Sequence, residues 1–138
     1  MVTLCTDMYD LSKPLEGNRY NNGGRIPNFD TNLIAWSRAC KRIHIHDYLF
    51  NFAYYWHAFP SLQVLGPNYR FFADHGVRHL HAEGAHSRHA RQIESAEIKL
   101  WMAAHLLWDP YKDKKPLLDR FFSRFFFRNR CDILICRF

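Results

Sequence analysis

Residues 43–52 read Ile43-His-Ile-His-Asp-Tyr-Leu-Phe-Asn-Phe52, and their alternation decides the fold class. Successive side chains of an extended chain point to opposite faces, so Ile43 and Ile45 share one face and His44 and His46 the other. A second stretch of this kind, Val77-Arg-His-Leu-His-Ala-Glu83, is closed by Gly84. Between the two, Gly66-Pro67 opens a helix, because proline suits the first helical turn, and Gly76 offers a left-handed residue beyond its end. Tyr69, Phe72 and Ala73 form the apolar face of that helix. Strand, helix, strand in this order is the rhythm of an α/β protein with parallel strands.

Working outward, a helix is expected from Phe29 to Cys40. Asp30 or Thr31 caps it, Leu33, Trp36, Ala39 and Cys40 recur near helical spacing, and Arg38, Lys41 and Arg42 complement its C-terminal dipole. The aromatic stretch Ala53-Tyr-Tyr-Trp-His-Ala-Phe59 reads as a loop ended by Pro60. Residues 1–27 are rich in Gly, Pro and Asn and read as an irregular segment. Downstream, a polar loop to Gln92 leads into a helix from Ile93 to Trp108, whose stripe is Ile93, Ala96, Leu100, Trp101, Ala104, Leu107 and Trp108. Asp109-Pro110 stops it, and Pro116 opens a last helix carrying Leu117, Leu118, Phe121, Phe122, Phe125 and Phe126.

Composition bounds these readings. A chain of 138 residues is the size of one domain, and 48% apolar with 17% aromatic residues excludes a disordered or low-complexity chain. Nineteen Lys and Arg against thirteen Asp and Glu leave +6 with neutral histidines, without the dense basic stripe that marks a nucleic-acid binder. Arg120, Arg124, Arg128, Arg130 and Arg137, mixed with aromatics, keep weak nucleic-acid binding through the tail as a lesser alternative. Cys5, Cys40, Cys131 and Cys136 are scattered and form no CxxC pair, unlike a disulfide-stapled scaffold. No signal-like start or membrane-length apolar run is present, so no membrane partner is expected and localisation is left open. Two parallel strands alone leave edges and apolar faces uncovered, which points to a part of a larger α/β assembly or to self-association.

Several stretches in order carry a family resemblance: Asn32-Leu-Ile-Ala-Trp36, His46-Asp-Tyr-Leu-Phe-Asn-Phe52, Phe59-Pro-Ser-Leu-Gln-Val-Leu65, Asn68-Tyr-Arg-Phe-Phe-Ala-Asp-His-Gly-Val77, Ala82-Glu-Gly84 and Glu97-Ile-Lys-Leu-Trp-Met-Ala-Ala-His-Leu-Leu-Trp-Asp-Pro110. Residues 28–126 resemble the C-terminal part of the DUF4838 domain, a family associated with large bacterial proteins similar to glycoside hydrolases and alpha-glucuronidases. The resemblance implies a partial (β/α)8-barrel-like fragment, with two recognisable parallel strands and flanking helices. A whole barrel takes about 250 residues. It further implies a glycoside hydrolase-like protein with remnants of a carbohydrate pocket, inactive as this chain alone, the alternative being a noncatalytic structural or carbohydrate-binding fragment. Residues 127–138 depart from the family pattern as a basic, aromatic tail.

Glu83 is the first candidate residue. It ends a strand, the C-terminal ends of barrel strands face the substrate, and a carboxyl group serves glycoside hydrolysis as acid, base or nucleophile. Asp47 is its candidate partner at the rim, 36 residues earlier, as a second catalytic carboxylate or as the group that positions His46. His46, Tyr48, Tyr55 and Trp56 are the candidate substrate-binding residues, the rings offering flat faces to sugars. His79, His81 and Glu83 share a strand face, but same-side strand residues stand about 7 Å apart while zinc ligands converge at about 2 Å, and no HExxH spacing occurs; no metal and no cofactor are expected. Glu94 and Glu97 read as ordinary residues of a helix start.

Overall fold

The computed structural model describes residues 1–18, 28–84 and 93–127. In chain order these form β1 (Val2–Cys5), α1 (Phe29–Ala39), β2 (Ile43–Tyr48), a 3-10 turn (Pro60–Gln63), α2 (Leu65–Asp74), β3 (His79–Glu83), α3 (Ala96–Trp108) and α4 (Lys114–Phe127). The strands make one sheet in the order β1-β2-β3, and both pairings are parallel.

The sheet therefore has three strands where the sequence pattern suggests two. The third comes from the segment expected to be irregular: Val2-Thr-Leu-Cys5 lies beside β2 in the register Val2↔Ile43 to Cys5↔His46. The Val2 amide donates to the Arg42 carbonyl at 3.0 Å and the Thr6 amide to the His46 carbonyl at 3.1 Å, so the pairing runs one residue past the strand end. A short alternating strand was hidden by the turn-rich residues that follow it.

Two crossovers that step the same way across a parallel sheet, each right-handed, put their helices on the same face. The burial agrees. Ile43, Ile45 and Asp47 are buried beneath the helices, while His44, His46 and Tyr48 lie on the opposite, partly exposed face. The core joins Ile43 and Ile45 to Leu33 of α1, Phe72 of α2, and Met102 and Leu106 of α3. Both faces of a parallel sheet are ordinarily covered. Here the described residues form an open sheet, not a closed barrel, and its second face is polar.

The helices begin and end close to the sequence expectations. Cys40 closes α1, Gly76 takes φ +76° just past α2, and Asp109 closes α3. The apolar stripe of α3 is the exception. Its buried side is Lys99, Met102, Ala103 and Leu106, whereas Leu100, Leu107 and Trp108 face outward, Trp108 with 87% of its surface exposed. The helix is apolar nearly all round, so periodicity has no polar side against which to choose a face. Trp36 of α1 is likewise exposed. On α4, Leu117 and Phe121 enter the core while Phe122 and Phe125 remain exposed. The polar loop with His86 and His89, and the tail from residue 128 with Arg128, Arg130 and Arg137, lie outside the described residues.

Candidate functional site

The register sorts the polar residues into rows across the open face. Thr3 of β1, His44 of β2 and His79 of β3 form the first row, and Cys5, His46 and His81 the second. Tyr48 pairs with Glu83 in the third. In parallel sheets ligands bind beyond the carboxyl ends of the strands, which is where this third row stands.

His46 and Glu83 are brought together. The imidazole Nε2 and carboxylate Oε2 are 2.7 Å apart, both groups partly buried, so a hydrogen bond joins an imidazole and a carboxylate on the open face. Parallel pairing places His46 one row below Glu83 on the neighbouring strand, and a histidine side chain spans that diagonal. The His46 ring stacks on Tyr48 at a centroid distance of 5.1 Å and meets His81 edge-on at 4.9 Å. The ring sequence continues from Tyr48 to Phe52 at 5.4 Å and from Phe52 to Tyr55 at 5.8 Å. Tyr55 thus belongs to the aromatic wall that starts at the dyad, while Trp56 is 77% exposed on the loop beyond it.

Beside this wall opens a pocket of about 230 Å³, lined by Asp7, Tyr9, Tyr48, Asn51, Phe52 and Phe59. It is built from the segments that follow β1 and β2, so it too lies at the carboxyl ends of the strands. Burial, followed by the negative charges of Asp7 and Glu83, raises the pKa of the Tyr48 hydroxyl above its ordinary value. Sequence reasoning missed Asp7. It lies in the turn after β1 that the Tyr9 amide closes on the Thr6 carbonyl at 3.1 Å, which carries it to this pocket.

Asp47 does not join Glu83, and the expected approach of the two at the rim is corrected by the fold. Asp47 has the same parity as Ile43 and Ile45 and lies inside β2, 2% exposed beneath the helices, so the sheet stands between the two carboxyl groups. Its Oδ1 accepts from the Thr6 hydroxyl at 2.8 Å, a cross-strand tie on the covered face. Burial pushes its pKa up to about 6, against the opposing pull of the Thr6 hydroxyl and the Tyr48 amide. Tyr69 of α2 faces it with a buried hydroxyl, and burial, followed by the Asp47 charge and its hydrogen bond, holds that phenol well above its usual range. Asp47 also does not position His46, which lies on the other face.

Lys99 is the other residue that sequence reasoning passed over. Only 1% exposed, it projects from α3 under the loop that follows β2 and donates to the Phe59 carbonyl at 2.7 Å and to Glu94 Oε2 at 2.5 Å. Its ammonium also lies 5.4 Å and 5.5 Å from the centroids of Phe50 and Phe59. Burial alone would raise the Glu94 carboxyl, but hydrogen bonds from Lys99, Ser95 and the Phe59 amide outweigh it and leave its pKa lowered. Glu94 is therefore an anchor for the pocket loop, beyond the ordinary helix-start residue its position suggests.

Among the described residues no group of three or more His, Cys, Asp or Glu converges to hold a metal ion, and no helix is long and apolar enough to cross a membrane. Cys5 and Cys40 are free thiols.

Fold and site together define an α/β protein with a parallel sheet, helices on one face, a histidine–carboxylate pair on the other, and an aromatic pocket beyond the carboxyl ends of the strands. The chain belongs to the DUF4838 family, described as a domain of unknown function, whose model matches residues 1–129. The match takes in β1, so the related region does not begin at residue 28. No curated protein and no solved structure matches the chain.

Proposed function

We propose that this chain is a carbohydrate-binding part of a glycoside hydrolase-like protein, with its sheet an arc of a (β/α)8 barrel and its open face the wall of the sugar site. The carrying observation is the His46–Glu83 pair at 2.7 Å, on the polar face at the strand ends, next to an aromatic pocket. A barrel accounts for a sheet whose helices all lie on one side, because the bare side is then the interior. Glu83 is the acid or base of this reading, and its contact with His46 gives it a route for exchanging a proton. Tyr48 and Phe52 offer flat apolar faces to a sugar ring. Further strands supply the remaining pocket walls, so binding without appreciable turnover is expected of this chain alone.

Saturation-transfer NMR against a panel of neutral and uronic oligosaccharides tests the reading. Transfer to at least one sugar is expected, together with its loss in Glu83→Gln at unchanged circular dichroism. No transfer to any sugar at millimolar concentration would refute it.

A further inference from the structure

The outer edge of β3 and one flank of α3 lie side by side, and among the described residues nothing covers either. We propose that a second copy of this chain docks there about a two-fold axis, its β3 antiparallel to β3 and its α3 against α3. The inference goes beyond the carbohydrate reading and does not rest on it. It concerns the edge at which a barrel would continue.

The backbone sets the pairing. The Glu83 carbonyl accepts from the Leu49 amide at 3.3 Å, so the backbone groups of Glu83, and with them those of His81 and His79, turn towards β2. Leu80 and Ala82 therefore direct their N–H and C=O groups outward, and an unpaired row of this kind is a template for another strand. An antiparallel register centred on His81 uses all five residues of β3. Leu80 then exchanges backbone hydrogen bonds with Ala82 of the second copy, and His79 stands opposite Glu83 of the second copy, once on each side of the axis. Pairs without backbone hydrogen bonds bring their side chains closest, so the strand is complementary in charge to itself. Glu83 holds His46 through Oε2, and its other oxygen can accept from the second imidazole.

The helix fits the same axis. One flank of α3 is held by α4, where the Trp101 ring lies 6.0 Å from Phe121 and its indole N–H donates to the Leu117 carbonyl at 3.3 Å. Helical spacing puts Leu100, Ala104 and Leu107 on the other flank, and all three are exposed. Leu100 lies 3.7 Å from where a Cβ on Gly84 would stand, just past the end of β3. Leu107 borders, with His79 and Leu80, a cavity of about 360 Å³ beside that strand. The flank therefore runs along the free edge. Its spacing of four and then three residues is that of a helix–helix seam, and the small Ala104 at the middle lets two helices approach closely. Strand, charges and seam are each self-complementary, which selects a second copy as the occupant.

Sedimentation velocity of the full chain over a concentration series is expected to show the mass rising from 16.6 kDa to twice that value and stopping there. Ala104→Glu, at an exposed helix position, and Ala82→Pro, at an N–H that faces away from β2, should each weaken the dimer about tenfold or more, with thermal melts confirming that both variants fold. The register is read by a cysteine trap. With the four native cysteines replaced by serine, His81→Cys should give a disulfide-linked dimer under diamide, because the two positions face each other on the axis. His79→Cys, displaced from its copy by about 14 Å along the strands, should not. A chain that stays at 16.6 kDa throughout, association weakened by Phe122→Glu on α4 but by neither alanine variant, or equal cross-linking at 79 and 81 would overturn the proposal. Each of these results leaves the carbohydrate reading standing.

Discussion

Replacing Asp47 by Asn should stabilise this protein at neutral pH and leave it almost unchanged in acid. The carboxyl group is 2% exposed and its pKa is pushed up to about 6, from an ordinary value of 3.8. Two units correspond to about 3 kcal/mol of preference for the protonated form in the folded state. The sign follows from proton counts. Between pH 4 and 6 the unfolded chain has lost this proton and the native chain retains it, so stability falls as pH rises through that window and the cost is complete above it. Asparagine keeps an oxygen to accept from Thr6 and sets an N–H group beside the Tyr69 hydroxyl oxygen, while removing the buried charge. Urea unfolding followed by tryptophan fluorescence from pH 4 to 8 provides the assay. Asp47→Asn should exceed the parent by about 1 to 3 kcal/mol at pH 7.5, lie within about 1 kcal/mol of it at pH 4, and show a flatter pH dependence. An Asn variant that is weaker than the parent by the same amount at both pH values would refute the reasoning, because the carboxylate would then be a satisfied partner whose charge the core accommodates.

Lys99→Met should cost about 2 to 4 kcal/mol in the same unfolding assay, because it keeps the side-chain bulk but leaves Glu94 and the Phe59 carbonyl without their buried donor, and Lys99→Ala, which also removes the packed stem, should cost more. A Lys99→Met variant within about 1 kcal/mol of the parent would show that the buried ammonium contributes nothing net. Leu107 and Trp108 leave an exposed apolar strip on α3, and Phe122 and Phe125 leave another on α4, so light scattering should show an average mass rising above 16.6 kDa with concentration, and Trp108→Glu should reduce the rise. A parent chain that stays monomeric at high concentration would defeat this expectation.

The parts of the fold that could be read from sequence are those where the two-residue and 3.6-residue periods are both pure and bounded. His44 and His46 against Ile43 and Ile45 gave β2 its faces, and Gly66-Pro67 with Gly76 gave α2 its limits. α3 was readable as a helix but not as an oriented one: Leu100, Leu107 and Trp108 are as apolar as the residues it buries, and the charged Lys99 sits on the buried side. A lysine with a carboxylate five residues earlier carries no sign of burial, because Phe50 and Phe59, which surround its ammonium, come from a distant loop. β1 was masked for a different reason. Four alternating residues contribute little to the character of a turn-rich segment, and only pairing with β2 makes them a strand.

The candidate site follows from the same parity. Asp47 continues the series Ile43, Ile45, and Glu83 continues the series His79, His81, so the sequence already separates the two carboxylates: one lies with the apolar residues and the other with the histidines. Proximity at the strand ends suggested a pair, but the pleat forbids it, since a one-residue step in a strand moves a side chain through the sheet. Parity could not supply register. Only the pairings His46↔His81 and Tyr48↔Glu83 bring the imidazole, the phenol and the carboxylate together on one face. Asp47 ties the end of β1 to β2 beneath the helices through Thr6, on the face away from His46 and Glu83. The buried carboxylate thus holds the strand end from the covered face, and this is why Asp47→Asn, which preserves the Thr6 hydrogen bond, is expected to change stability without changing sugar affinity.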